Sequence, residues 1–192
     1  MALPQLREEK VYTYADLLEW DEDVRAELHD GEAVMMPPPM TVHQEVLINL
    51  IYQLYSCLKE SKKEKEYKLY PAPFGVRLFP KKDHSDNTVF EPDIVLICDK
   101  NKLDERGCNG APDLVIEVTS PSTARYDRVY KFRKYQKAGV REYWIVDPET
   151  KTVQVCILEN GHYIMSAYDE TEKVQVTVLE GCEVDLQAVF GE

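Results

Sequence analysis

Two apolar stretches carry acids where a sheet would place them at strand ends. They are Glu91-Pro92-Asp93-Ile94-Val95-Leu96-Ile97 and Pro112-Asp113-Leu114-Val115-Ile116-Glu117-Val118, and a basic segment, Arg125 to Arg133, follows shortly after the second. An unpaired carboxylate in apolar surroundings costs several kcal/mol or takes up a proton, so such acids imply a cation to compensate them. Side chains alternate along a strand, which puts Asp113, Val115 and Glu117 on one face, with Glu117 near the end and just before the Ser120-Pro121 break. Asp93 opens the other run. If the two ends meet, a carboxylate pair can hold a hard divalent ion, Mg²⁺ or Mn²⁺, which takes oxygen ligands and keeps waters at its other positions. An ion held there could activate water against a phosphodiester. Spacing alone leaves the plainer reading open, in which Pro92-Asp93 is a strand-entry turn and Glu117 a satisfied structural acid.

Asp127, Lys131 and Lys134 fall at i, i+4 and i+7 and so share a helix face. Lys131 can then point back toward the carboxylates, where an ammonium would keep Glu117 ionised or offset charge developing on phosphorus. The alternative is an exposed Asp127–Lys131 pair of little energetic weight. His43 stands in the first turn of a helix, within reach of a sheet end, as a candidate substrate contact or a locally bonded side chain. With Arg128 and Lys134 it completes the set of candidate substrate-binding residues. Other chemistries lack their residues. No second His or Cys lies at ligand spacing to His43, Ser120 and Ser122 have no glycine-flanked elbow, and no glycine-rich phosphate loop occurs among the eight glycines.

The elements that must position these groups follow from pattern. Thr13-Tyr14-Ala15-Asp16 caps a short amphipathic helix, and Asp30-Gly31 predicts a tight hairpin pairing Ala26-Glu27-Leu28 with Ala33-Val34-Met35. After Pro37-Pro38-Pro39, Thr41-Val42-His43-Gln44 fits a capping box. Val42, Val46, Leu47, Leu50, Ile51, Leu54 and Leu58 then recur at helical spacing to about Lys59. The charged run from Ser61 to Lys68 reads as a solvated connection. Strands are expected over 72–79, 90–97 and 113–119, then a helix from Ala124 to Ala138 ended by Gly139, with Ser120, Ser122 and Thr123 offering caps. Glu142 to Asp147 forms a further strand. Val153–Leu158, His162–Ala167 and Val174–Leu179 alternate with period two as an antiparallel β extension.

A chain of 192 residues suffices for one domain burying roughly 70% of its unfolded surface. Within it, an N-terminal helix and hairpin (12–40), a core (41–148) and a C-terminal β extension (149–192) are expected. There is neither a signal-like start nor an apolar run long enough to span a bilayer, so no membrane association is indicated. Five scattered cysteines without a C-x-x-C pair read as reduced thiols in a cytoplasm. The net charge of −12 counts against broad electrostatic capture of nucleic acid, although the segment 125–141 holds seven cations against one acid.

At several places the chain resembles the Uma-two family of restriction endonucleases. The resemblance rests on Arg25-Ala26-Glu27-Leu28-His29-Asp30-Gly31-Glu32, Pro37-Pro38-Pro39 with His43, Glu91-Pro92-Asp93-Ile94-Val95 and Pro112 to Val118. It continues through Ser120-Pro121-Ser122-Thr123, Asp127 to Lys131 and Glu142 to Pro148. It implies a restriction-endonuclease-like α/β core of the PD-(D/E)XK nuclease superfamily: helix, three strands, helix and strand around a mixed sheet. Asp93 and Glu117 become the acids of the two half-motifs and the ligands of Mg²⁺ or Mn²⁺. Thr119 stands where the superfamily usually has a lysine, and Lys131 on the following helix matches the amine that this family supplies from there. The expectation is a Mg²⁺-dependent endonuclease acting on DNA. The competing readings are a nuclease-fold protein that binds or assembles without catalysis, and a two-carboxylate hydrolase of sugars or small phosphoesters. The unpaired edges of the terminal β segments predict a homodimer through them.

Overall fold

A computed structural model of the chain describes residues 10–21, 24–121 and 123–191, which leaves Ser122 and its expected capping role outside the described residues. Alternation along the strands Ile94–Ile97 (β6) and Leu114–Val118 (β8) sends successive side chains to opposite faces. Ile94, Leu96, Leu114 and Ile116 enter one apolar cluster, and Val95, Ile97 and Val115 enter another. Glu117 has the parity of Val115 and Asp93 that of Val95, so both acids belong to the second face.

The chain begins with α1 (Tyr14–Leu17), capped where Thr13 and Asp16 bond reciprocally, and the hairpin of β1 (Ala26–His29) and β2 (Glu32–Met35). The predicted register is observed, with Ala26 opposite Met35. Asp30 and Gly31 turn the hairpin at φ of 54° and 93°, where the Gly31 position also lies against Tyr12. Helix α2 spans Thr41–Glu60, but Thr41 is its first residue and Met40 caps it without a side-chain bond, so the expected capping box is not formed.

The strands between the helices differ from expectation. The predicted strand 72–79 is instead β3 (Lys68–Pro71) and β4 (Gly75–Arg77), which lie in different sheets. Pro71 and Pro73 flank the crossing, and a proline cannot donate to a ladder. Lys68, assigned to a solvated connection by its charged neighbours, opens β3. The stretch 90–97 is likewise divided into β5 (Val89–Phe90) and β6, so Glu91-Pro92-Asp93 is the crossover between sheets. A short strand β7 (Gly107–Asn109) appears in a segment that reads as loop.

The helix after β8 starts as predicted near Ala124, passes through a π-helical turn over Tyr126–Lys131, and continues as α3 (Phe132–Ala138) to a left-handed Gly139. β9 (Glu142–Asp147), β10 (Thr152–Glu159) and β11 (His162–Asp169) follow. The six-stranded sheet has the order β11-β10-β9-β8-β6-β3, antiparallel except between β8 and β9, and the five-stranded sheet has the order β2-β1-β5-β4-β7. Of the expected strand Val174–Leu179 only the start forms, as β12 (Lys173–Gln175). It pairs with β13 (Glu183–Asp185), and α4 (Leu186–Phe190) completes a small unit against α2. Asn49 and Gln53 of α2 bond to the backbone of Val189 and Asp185 in that unit.

The reading of all five cysteines as reduced is corrected. Cys57 of α2 and Cys182 form a disulfide with Cα atoms 5.3 Å apart, whereas Cys98, Cys108 and Cys156 are free. The two partners are 125 residues apart in sequence, and only packing of the C-terminal unit on α2 brings them together. Disulfides persist chiefly in oxidising compartments, so the cysteines no longer point to a cytoplasm. Among the described residues no helix is long and apolar enough to cross a membrane.

Candidate active site

Asp93 lies one step beyond the Ile94–Ile116 pair of the antiparallel β6–β8 ladder, which sets it opposite Glu117. The Val118 amide donates to Asp93 Oδ2 at 2.8 Å, and His43 Nε2, from the first turn of α2, donates to the same oxygen at 3.1 Å. Helix and sheet therefore hold one oxygen of Asp93 between them. Glu117 is fixed in the same way. Its Oε1 accepts from Lys131 Nζ at 2.9 Å and from the Tyr135 hydroxyl at 2.7 Å. The other oxygens, Asp93 Oδ1 and Glu117 Oε2, accept no hydrogen bond from the described residues.

Lys131 also reaches Glu27 Oε1 on β1, at 2.8 Å, and lies 4.0 Å from Asp127. Glu27 is further bonded by the Glu91 amide and by His29 Nε2. The wide turn of the π-helix keeps Asp127 and Lys131 at 2% and 4% exposure while Val129 between them is 46% exposed. Burial of this pair removes the reading of an exposed surface ion pair.

The electrostatics show a cluster short of positive charge. Three carboxylates, those of Glu117, Glu27 and Asp127, surround one buried ammonium, and a fourth, Asp93, stands opposite Glu117 and bonds to His43. Burial acts to lower the Lys131 pKa, but Glu117, Glu27 and Asp127 together hold it well above the usual lysine value. Glu27 is also opposed by burial, yet Lys131 and His29 bring it down to about 2. Glu117 goes the other way: burial, with Asp127, Asp93 and Glu27 adding to it, outweighs Lys131 and raises its carboxyl. Burial likewise raises Asp127 to about 6. For His43 burial acts to lower the imidazole, but the bond to Asp93 and the charges of Asp93 and Asp127 together raise it.

This donor set suits a divalent ion. Two neighbouring carboxylates each present a free oxygen, their second oxygens are locked by protein donors, and the cluster carries excess negative charge. Among the described residues no group of three or more His, Cys, Asp or Glu is arranged as a complete ligand set. An ion here would therefore draw its remaining ligands from water or substrate, as Mg²⁺ commonly does.

The structure thus brings together Asp93, Glu117, Lys131 and His43. Arg128 and Lys134 go elsewhere. Arg128 donates to Asp147 at 2.7 Å and to Gln154, and Lys134 is paired with Asp30 and lies over the Tyr130 ring. Sequence reasoning missed Glu27, Tyr135 and the burial of Asp127. Glu27 lay within the block Arg25 to Glu32 that carries the family resemblance, which is the one signal that could have found it. Tyr135, one helical turn after Lys131, carried none.

Comparison with known proteins bears on the family and the fold. A sequence model of the Uma2 family, described as "Putative restriction endonuclease", matches residues 14–187. A search of curated proteins gave no match. Among solved structures, the crystal structure of a "putative nuclease belonging to DUF820" from Anabaena variabilis superposes with a TM-score of 0.73 at 19% identity, covering 93% of this chain and 97% of that one. That likeness establishes the fold, which is restriction-endonuclease-like. The match over residues 14–187 places the chain in the Uma2 family, to which it belongs.

Proposed function

We propose that the chain is a divalent-metal-dependent endonuclease that hydrolyses phosphodiester bonds in DNA, with Asp93 and Glu117 holding Mg²⁺ or Mn²⁺. The observation that carries this reading is the pairing of Asp93 with Glu117 across β6 and β8, each with one oxygen free, beside the Lys131 ammonium. A bound ion would supply a water of lowered pKa and offset phosphate charge. His43 orients Asp93, Tyr135 orients Glu117, and Lys131 supplies fixed positive charge where the pentavalent phosphorus builds negative charge. Membership of the Uma2 family supports the nuclease reading.

One observation favours a second reading, a nuclease-fold binding module. Arg128, Lys134 and Arg141 are each paired with an acid, so of the cations in 125–141 only the exposed Arg125, Arg133 and Lys137 stand without an acid partner among the described residues to meet a phosphate backbone.

Cleavage of supercoiled and single-stranded DNA with Mg²⁺ or Mn²⁺ decides between them, comparing the wild type with Asp93→Asn and Glu117→Gln purified identically. Metal-dependent cleavage lost in both variants supports the endonuclease. Absence of both cleavage and Mn²⁺ binding in the wild type supports the binding module, and cleavage unchanged by either substitution refutes the site.

A further inference from the structure

Helix α2 buries one face, through Val46, Leu47, Leu50, Leu54 and Leu58, against the sheet and the C-terminal unit. Its opposite face is also apolar at the centre. Ile48, Tyr52 and Tyr55 are 65%, 72% and 45% exposed, and with Glu45 and Lys59 they recur at spacings of three and four, the seam of a paired helix. Isolated exposed hydrophobics need no explanation, but three large ones in line on a long helix mark a contact surface.

The occupant follows from the charges. Glu45 and Lys59 each stand seven residues from Tyr52, on opposite sides, and both are exposed. Neither forms an ion pair among the described residues, and Lys59 lies over the Tyr55 ring with its Nζ 5.0 Å from the centroid. An antiparallel copy of the same helix, related by a two-fold axis at Tyr52, sets Glu45 of one chain beside Lys59 of the other at both ends, roughly 10 Å from the axis. Ile48 then meets the second copy near Ser56 and Tyr55, and Tyr52 meets Tyr52. A two-fold contact requires a patch that complements itself, and this stripe does so in charge, with apolar residues between its two charged ends.

The edge strand β11, one of the terminal β segments through which a dimer was expected from the sequence, is less suited to the task. Two of its backbone N–H groups, those of Tyr163 and Asp169, already donate to Gln136 and Glu172 side chains, each at 2.9 Å, and so are closed to another strand.

We propose that α2 is the interface of an isologous homodimer, with Tyr52 on the two-fold axis and Glu45 paired to Lys59 of the second copy. His43 lies near the helix start, so the two candidate active sites sit at opposite ends of the paired helices, roughly 27 Å apart along the axis. Each chain keeps its own site whole, and the oligomeric state can be tested independently of any cleavage.

The test is sedimentation equilibrium of the full chain over micromolar to near-millimolar concentrations, for the wild type, Tyr52→Asp, Glu45→Lys, Lys59→Glu and the Glu45→Lys/Lys59→Glu double variant. The expected result is a dimer whose dissociation constant rises about a hundredfold in Tyr52→Asp. It rises less in each single charge reversal and returns toward the wild-type value in the double variant. Tyr52→Cys should cross-link to itself on mild oxidation in the same register. A wild-type monomer throughout the range overturns the proposal, as does a dimer that Tyr52→Asp leaves intact. A dimer weakened instead by substitutions at Met165 and Ala167 would place the contact on β11. All five positions are exposed, and unchanged thermal unfolding of the variant monomers excludes misfolding as the cause.

Discussion

Glu27 and Glu117 come from different sheets and share one ammonium, with Lys131 Nζ 2.8 Å from the first and 2.9 Å from the second. All three side chains are buried, so Lys131 both joins the two sheets and neutralises the acids. Glu27 has a role of its own in this arrangement. Its two oxygens accept from Lys131, Glu91 and His29, which makes it a saturated anchor for the ammonium, in contrast to the half-open Glu117.

Lys131→Met keeps the length of the side chain and removes the charge. Two buried carboxylates then lose their partner, and the protein should lose about 3–5 kcal/mol of stability near neutral pH, measured by urea unfolding. The sign with pH is fixed by the acids. With Lys131 present, Glu27 is held down to about 2 and contributes stability above its unfolded pKa that is lost only as pH falls through the folded one. Without the ammonium, burial raises both carboxyls, and protonation relieves the variant. The deficit should therefore shrink as pH falls from neutral toward 4. A deficit constant with pH would mean that Lys131 acts by packing alone.

Asp127 is raised by burial to about 6, above its ordinary carboxylate value, so its ionised form destabilises the fold. The penalty is complete above pH 6 and vanishes below the unfolded pKa, near 4. Asp127→Asn should raise unfolding stability at neutral pH by about 1–3 kcal/mol and make little difference at pH 4. If the substitution destabilises the protein at neutral pH, the Lys131 ammonium needs the third carboxylate more than burial opposes it.

Much of this site was legible because its acids sit in stretches whose composition leaves few alternatives. The runs Ile94–Ile97 and Leu114–Val118 are too apolar to be solvated, so period-two alternation placed Glu117 and Asp113 on one face correctly. Glu27 escaped because Ala26-Glu27-Leu28-His29 reads as a half-exposed hairpin strand. All four residues are buried, since β1 lies between β2 and β5 with the π-turn over one face, a placement made by contacts more than sixty residues away. The π-turn itself is invisible in sequence. A regular α-helix through 124–138 would also set Asp127 and Lys131 on one face, but nothing in the residue types says that this face is the buried one. The partners of Arg128 and Lys134 were hidden for a related reason: a run of cations does not show in sequence which acids, here Asp147 and Asp30, lie opposite it.

The Cys57–Cys182 bond joins positions 125 apart in sequence and ties the C-terminal unit to α2. Cross-linking so long a loop removes conformational freedom from the unfolded chain, and Cys57→Ser should cost about 3–5 kcal/mol. Thiol titration of the unfolded, unreduced protein should find the three free cysteines, Cys98, Cys108 and Cys156, and five after reduction. Five thiols before reduction would show that the bond is absent in solution.

Metal binding at Asp93 and Glu117 should release protons. Burial and the surrounding acids raise the Glu117 carboxyl, so the apoprotein holds a proton there to higher pH than an ordinary carboxyl does, and a cation must displace that proton. Lowering pH therefore weakens Mn²⁺ binding, and raising it strengthens binding until Glu117 is fully ionised. Calorimetric titration with Mn²⁺ in buffers of different ionisation enthalpy reads this directly, since the apparent binding heat changes with buffer in proportion to the protons released. Glu117→Gln should abolish the buffer dependence together with most of the affinity. His43→Ala should leave the proton release in place and weaken affinity by about tenfold, the scale expected when a side chain orienting a ligand is removed. A binding heat independent of buffer, with Mn²⁺ affinity unchanged across this pH range, would show that Glu117 is already ionised in the apoprotein and that Lys131, despite the acids around it, suffices to keep it so.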